Sequence, residues 1–247
     1  MLLAILSRPA AAESPQRPEL NPGNEVLIQA ECEGIAESHF MLYLPADFND
    51  SADWPSIFFY RGQGESLSTG FFQQITQSRG FVIAAMEYVP IENKEMTRDQ
   101  YLDYLKAELK NTAVVRRYIE KGLHIKLDPK RTFLAGISKG GWLVSELFES
   151  RPGMWSGAII IAAGRREIAG SAVNDRFKNK RIYIGAGEKD PNLKAAQKAR
   201  DFYQQAGADV TFEEYEGLGH AADPNSAPLR KWLFSNTATA ETEKSPE

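Results

Sequence analysis

Short apolar runs alternate with amphipathic stretches from residue 56 onward, which predicts strands buried on both faces with helices packed against them. The runs occupy 56–60, 81–86, 132–137, 158–163, 181–184 and 210–215, each bounded by Gly, Pro or polar turn residues. Between them, 68–78, 97–121, 141–149 and 192–205 carry helical spacing, and 225–234 reads as a terminal helix. The longest stripe joins Leu102, Leu105, Leu109, Val115, Tyr118 and Ile119. Gly80 and Pro152-Gly153 read as stops, Pro191 as a first helical turn, and Gly207 as the end of the helix it opens. Ahead of this series, 26–30 and 39–44 read as two strands around a turn at Glu33-Gly34, an antiparallel start to the sheet. The pattern is α/β: a mostly parallel central sheet of about eight strands with helices on both faces. The connection at 164–180 is polar and too short for a large cap domain, so an open cleft is expected.

The 247 residues suffice for one domain, placed at 24–236, and no internal repeat divides it. Residues 1–23 read as a signal-like or disordered segment: an apolar run at 2–6 and Ala10-Ala11-Ala12 suggest a leader, but no basic residue precedes the run. A secreted or periplasmic location and a cytoplasmic one both stay open. Residues 237–247 have the composition of a disordered tail. A net charge of -4 implies neither nucleic acid nor an anionic membrane as partner, and no apolar run has the length of a membrane span. Cys32 is the only cysteine, so no intrachain disulfide forms. Asp47, Asn49, Asp50 and Asp53 lack the glycine and distal glutamate of a calcium loop, and read as a solvated turn.

The chemistry gathers around Gly136-Ile137-Ser138-Lys139-Gly140-Gly141. Glycines two before and two after a serine let a strand reverse into a helix while the serine takes a strained backbone conformation, which lifts its hydroxyl above the sheet. The helix start aims free N–H groups and a positive dipole end at the same spot. In a parallel sheet, ligands bind beyond the carboxyl ends of the strands. The glycine-rich turn Arg61-Gly62-Gln63-Gly64-Glu65, Ser138, Asp190 and His220 each follow such an end, so one rim receives all of them. A serine needs a base held by a carboxylate. His39 lies inside a strand and His124 in a turn at the opposite rim, which leaves His220. Asp190 is preferred to Glu188 as its carboxylate, with helix capping as its plain alternative. A Ser138–Lys139 dyad is disfavoured because adjacent residues at a helix start diverge. Trp142, Phe148 and Trp155 read as packing residues rather than stacking platforms.

These motifs, with Leu44-Pro45, Asp128-Pro129 breaking the chain before the elbow strand, Gly187-Glu188-Lys189-Asp190 and Gly217-Leu218-Gly219-His220, resemble the α/β-hydrolase superfamily over about 24–234. Within it the chain looks most like lidless esterases of the carboxylesterase, feruloyl-esterase and polyester-depolymerase type. The resemblance implies ester hydrolysis through an acyl-enzyme on Ser138 with His220 and Asp190, without cofactor or metal, on a small-molecule or polymer-linked ester. It implies an oxyanion hole from the backbone N–H of Lys139 and one from the Gly62–Gly64 turn, Gln63 ahead of Gly62. Arg61 stands where the family usually has histidine, and facing the cleft it would favour an acidic acyl or leaving group, unless it forms an ion pair near Glu65. The same triad would serve a peptidase, thioesterase or lactonase; a non-catalytic binding protein on this fold is the reading from another class.

Overall fold

The computed structural model describes residues 18–32, 35–91, 95–166 and 175–235. Residues 1–17 of the signal-like or disordered segment expected at 1–23, the turn at Glu33-Gly34 and the tail therefore lie outside the described residues. Eight strands form one sheet: β1 Glu25–Cys32, β2 Ile35–Tyr43, β3 Trp54–Tyr60, β4 Val82–Met86, β5 Leu127–Ile137, β6 Gly157–Ile161, β7 Arg181–Gly187 and β8 Asp209–Tyr215, in the order β1-β2-β4-β3-β5-β6-β7-β8. The first two strands run antiparallel to their neighbours, and every pairing from β4 to β8 is parallel.

The continuous apolar runs are central strands because both of their faces are covered. In β3, Trp54, Phe58 and Tyr60 enter one core and Ile57 and Phe59 the other. The first core lies under α2 (Arg98–Arg117), α3 (Lys139–Ser150) and α4 (Leu193–Gln205). The second lies under α1 (Gly70–Thr76) and α5 (Ala227–Phe234). Among the described residues between β6 and β7 the only element is a single 3-10 turn, Asp175–Phe177, whose Phe177 ring stacks on Phe148, and no large cap is present. No described helix is long and apolar enough to cross a membrane.

Several boundaries differ from expectation: β2 begins at Ile35 rather than at 39, β7 runs on to Gly187 rather than ending at 184, and three others have a visible local cause. Helix α1 stops before Gly80, at Gln77 and Ser78, which take positive φ (53° and 59°) while the Ser78 amide reaches back to the Gln73 carbonyl. Helix α2 opens on a Thr97–Gln100 capping box but gives way at Tyr118–Gly122 to a π turn, closed by the Leu123 amide on the Tyr118 carbonyl. The break expected at Asp128-Pro129-Lys130 is absorbed into β5 as a bulge: β5 advances five positions, from Leu127 to Thr132, where β3 advances two, from Trp54 to Ser56. There the Asp128 carboxylate accepts the Lys130 amide and the Asp128 carbonyl accepts the Thr132 hydroxyl. A proline that cannot join the ladder is tolerated at such a bulge.

Helix α3 starts almost in contact with the sheet. A Cβ on Gly136 would sit 2.3 Å from the Gly140 carbonyl group, and one on Gly140 would sit 2.1 Å from the Tyr60 carbonyl oxygen. These are backbone atoms with no rotamer to yield. Gly136→Ala should therefore cost about 3 kcal/mol, lowering the melting midpoint by about 6–12 °C. Gly153→Ala, which meets nothing within 4 Å, should leave it almost unchanged. Circular-dichroism melts of both variants decide the matter, and equal midpoints would show that the close approach is not required.

Candidate active site

Ser138 stands between β5 and α3 with φ 53° and ψ -116°, a conformation that costs a non-glycine residue on the order of 1–3 kcal/mol. Its surroundings over-determine it. The Ser138 amide donates to the Ile161 carbonyl at 2.8 Å, and the Ser138 carbonyl accepts the Trp142 amide at 3.1 Å. Gly141 completes the fit, since a Cβ there would lie 2.7 Å from the Ala163 methyl. Ala162, at the end of β6, is a second non-glycine residue with positive φ beside the same cleft.

The Ser138 hydroxyl lies 2.8 Å from Nε2 of His220, and Nδ1 of His220 lies 3.0 and 3.1 Å from the two carboxylate oxygens of Asp190. A carboxylate only accepts, so Nδ1 carries the ring proton and Nε2 is free to accept from the serine. The Asp190 side chain is fully buried while His220 is about two-fifths exposed, so the imidazole faces the cleft and the carboxylate behind it does not. Asp190 also accepts the Asn192 amide at 2.7 Å, ahead of α4. That bond ties the carboxylate to the turn before α4, whose N-cap, Asn192, has no side-chain capping bond, so the helix-capping alternative for Asp190 does not hold.

Glu188, the competing carboxylate, instead accepts the Gly217 amide at 3.0 Å. With the Lys189 amide on the Leu218 carbonyl, it fastens the turn after β7 to the loop that bears His220. His39 stays in β2 and His124 in the turn before β5, and neither lines the cleft.

The cleft above Ser138 has a volume of about 920 Å³. Phe59, Phe71, Ile137 and Ala222 give it an apolar wall, and the Arg61–Glu65 turn forms the other side. Phe59 and Phe71 were not identifiable from the sequence as site residues; Phe71 follows the glycine-rich turn at the start of α1, which is the only signal it offers. Trp142, Phe148 and Trp155 do not line the cleft. Trp155 packs edge-on against Phe58, and Trp142 carries the Arg166 guanidinium at 5.6 Å.

In the glycine-rich turn the Gly62 amide donates to the Glu65 carboxylate at 2.8 Å, whereas the Gln63 amide has no partner among the described residues. Arg61 forms its ion pair with Glu87, at 2.7 Å, and donates from Nε to the Glu65 carbonyl at 2.7 Å. Its ionic partner is therefore Glu87 and not the Glu65 carboxylate, although Arg61 does border the cleft. The Lys139 ammonium lies 4.2 Å from the centre of the Tyr88 ring, where it is held as a cation on an aromatic face. Beneath the turn, buried Glu108 accepts from the Tyr60 hydroxyl at 2.9 Å and the Val89 amide at 2.8 Å. Burial raises its carboxyl above the usual range, against the lowering effect of these bonds. No group of His, Cys, Asp and Glu among the described residues is placed to hold a metal ion.

A family model described as Phospholipase/Carboxylesterase matches residues 88–228. Comparison with curated proteins gives no match. Among solved structures, the chain is similar to a ferulic acid esterase of the anaerobic fungus Anaeromyces mucronatus: TM-score 0.62, 12% identity, covering 90% of this chain and 94% of that one. It is similar to a thermostable esterase with TM-score 0.64 and 20% identity over 85% of this chain and 62% of the other. A phospholipase/carboxylesterase of Dyadobacter fermentans has TM-score 0.53 and 16% identity, over 74% and 90% of the two chains.

Gly187 offers a direct test of how the histidine loop is seated. A Cβ there would lie 2.1 Å from the Gly219 carbonyl oxygen and 2.5 Å from that of Leu218. Gly187→Ala should push His220 off Ser138 and slow labelling of the serine by a fluorophosphonate about 100-fold. A labelling rate within twofold of the unaltered protein would mean that the loop is not seated by this contact.

Proposed function

We propose how this chain, which belongs to the phospholipase/carboxylesterase family and is a carboxylic ester hydrolase, cleaves its substrate: by two-step acyl transfer through Ser138, with His220 as base and Asp190 as its orienting carboxylate. The observation that carries this reading is the hydrogen-bonded series from the buried Asp190 carboxylate through both ring nitrogens of His220 to the Ser138 hydroxyl, at the floor of an open cleft.

As Ser138 Oγ attacks the ester carbonyl carbon, its proton passes to Nε2 of His220. The carbonyl oxygen becomes an oxyanion, received by the backbone N–H groups of Lys139 and Gln63. Gly62 is a weaker candidate than Gln63, because its amide already serves Glu65. One well-aimed donor is worth about 3–4 kcal/mol in such a site. The imidazolium, stabilised by Asp190, returns the proton to the departing alkoxide and leaves an acyl group on Ser138. Water then enters and gives a proton to Nε2 as it attacks the acyl carbon; as the acyl–Oγ bond breaks, the imidazolium passes that proton to Ser138 Oγ, which releases the carboxylic acid and the free serine. Every proton is handled by these side chains.

Cleft shape supports an ester with an apolar acyl or alcohol part against Phe59 and Phe71. Arg61, its charge answered by Glu87, serves the turn and is given no part in selecting acidic substrates.

Fluorophosphonate should form one adduct, on Ser138, and short-chain nitrophenyl esters should turn over. Ser138→Ala and His220→Ala should each lose about 10⁴–10⁶-fold in kcat, the pair together no more than either alone, and Asp190→Asn about 10⁴-fold. Turnover that survives Ser138→Ala, or a folded protein that takes no label, would remove the mechanism.

A further inference from the structure

Tyr88 follows the carboxyl end of β4, on the same rim as Ser138 and the glycine-rich turn. Its hydroxyl donates to the Arg61 carbonyl at 2.5 Å. Two cations lie against its ring: the Lys139 ammonium at 4.2 Å from the centroid and the Arg61 guanidinium at 5.6 Å. One side chain thus touches both segments whose backbone N–H groups face a developing oxyanion. The segment that carries Tyr88 is itself fixed. Glu87 donates its amide to the His39 carbonyl and accepts from the Asn111 side chain, and the Val89 amide is held by buried Glu108.

The Arg61–Gly62 peptide shows why this matters. A peptide unit is planar, so fixing its carbonyl oxygen and its N–H fixes its orientation. Tyr88 holds the oxygen and the Glu65 carboxylate holds the N–H. The next amide is that of Gln63, separated from this plane only by Gly62, whose backbone dihedrals are otherwise unusually free. The Glu65 amide, 3.4 Å from the Gly62 carbonyl, closes the turn behind it. The other donor belongs to the helix start that meets the same strand end, where Gly140 approaches the Tyr60 and Arg61 carbonyls.

We propose that Tyr88 is a positioning residue for the oxyanion hole: its hydroxyl on the Arg61 carbonyl, with its ring held under the Lys139 ammonium, fixes the Gln63 amide relative to the Lys139 amide, which the seating of α3 already places. This rests on the acyl-transfer reading of Ser138. Tyr88 touches no reacting atom, and its effect belongs to the transition state, where the oxyanion exists, rather than to binding of the uncharged ester.

Tyr88→Phe keeps the ring and removes the hydroxyl. It should lower kcat on a nitrophenyl ester about tenfold with KM within about twofold, less than the loss of an oxyanion donor itself. A trifluoromethyl ketone, whose adduct with Ser138 carries the oxyanion, should weaken in proportion to the fall in kcat/KM, and the product carboxylic acid should bind unchanged. A purely structural tyrosine would lower the melting point without that proportion. If Tyr88→Phe folds poorly, Lys139→Met probes the same contact from the other side and should lose about threefold in kcat with the same parallel in ketone affinity. An active wild-type enzyme whose Tyr88→Phe and Lys139→Met variants match it in kcat, or lose rate while holding the ketone as tightly, overturns the role of Tyr88 alone. A wild-type protein that neither turns over esters nor binds the ketone overturns the acyl-transfer reading and this inference with it.

Discussion

The close seating of α3 on the ends of β3, β5 and β6 is the constraint from which the rest of the site follows. Helix α3 begins where Gly136, Gly140 and Gly141 leave no side chain between its first turn and the carbonyls of Tyr60 and Ile161. A strand can turn into a helix so abruptly only if the residue at the corner accepts a strained φ, and Ser138 is that residue. Strain at one residue is small beside the burial of the α3 face, where Leu143, Val144, Leu147 and Phe148 enter the core. Packing of the helix therefore holds the serine in place, and the hydroxyl is presented as a consequence of how the core is filled.

From that seat the parallel topology does the remaining arrangement. Asp190 lies beyond β7 and His220 beyond β8, neighbours in the sheet although 30 residues apart in sequence. The two turns are joined by backbone bonds as well as by the imidazole, through the Glu188 amide on the Tyr215 carbonyl and the Lys189 amide on that of Leu218. A histidine on a lone loop would sample many positions; here the sheet register sets the distance and the ring closes it.

What could be read from the chain followed the reach of each signal. Continuous apolar runs identified the parallel strands because burial on both faces removes the polar alternation. The rule that ligands gather at carboxyl ends brought Ser138, Asp190 and His220 to one rim without coordinates. Element ends were less legible. Gln77 and Ser78 take left-handed conformations that their residue types disfavour, and Asp128-Pro129-Lys130 looked like a break because a bulge and a loop share composition. An ion pair for Arg61 close to Glu65 was anticipated, but its partner Glu87 and the contacts of Tyr88 were not legible, since they depend on which side chains meet after β3, β4 and α2 have packed.

The glycines that make the site possible also create a problem that the structure solves twice in the same manner. Gly62 and Gly217 lie in turns that must bring backbone close to the cleft, and a glycine turn left to itself has more conformations to lose than any other. In each turn a nearby glutamate accepts the glycine N–H: Glu65 takes that of Gly62 and Glu188 that of Gly217. Each carboxylate is thus bonded to backbone, although Glu188 was itself the rival carboxylate in the sequence and Glu65 closed the glycine-rich turn. Their work is to remove freedom that small residues introduce. The acidic side chains around this cleft thus divide by burial: Asp190, fully covered, holds the His220 ring, while the exposed pair, Glu65 and Glu188, holds the backbone of the two turns.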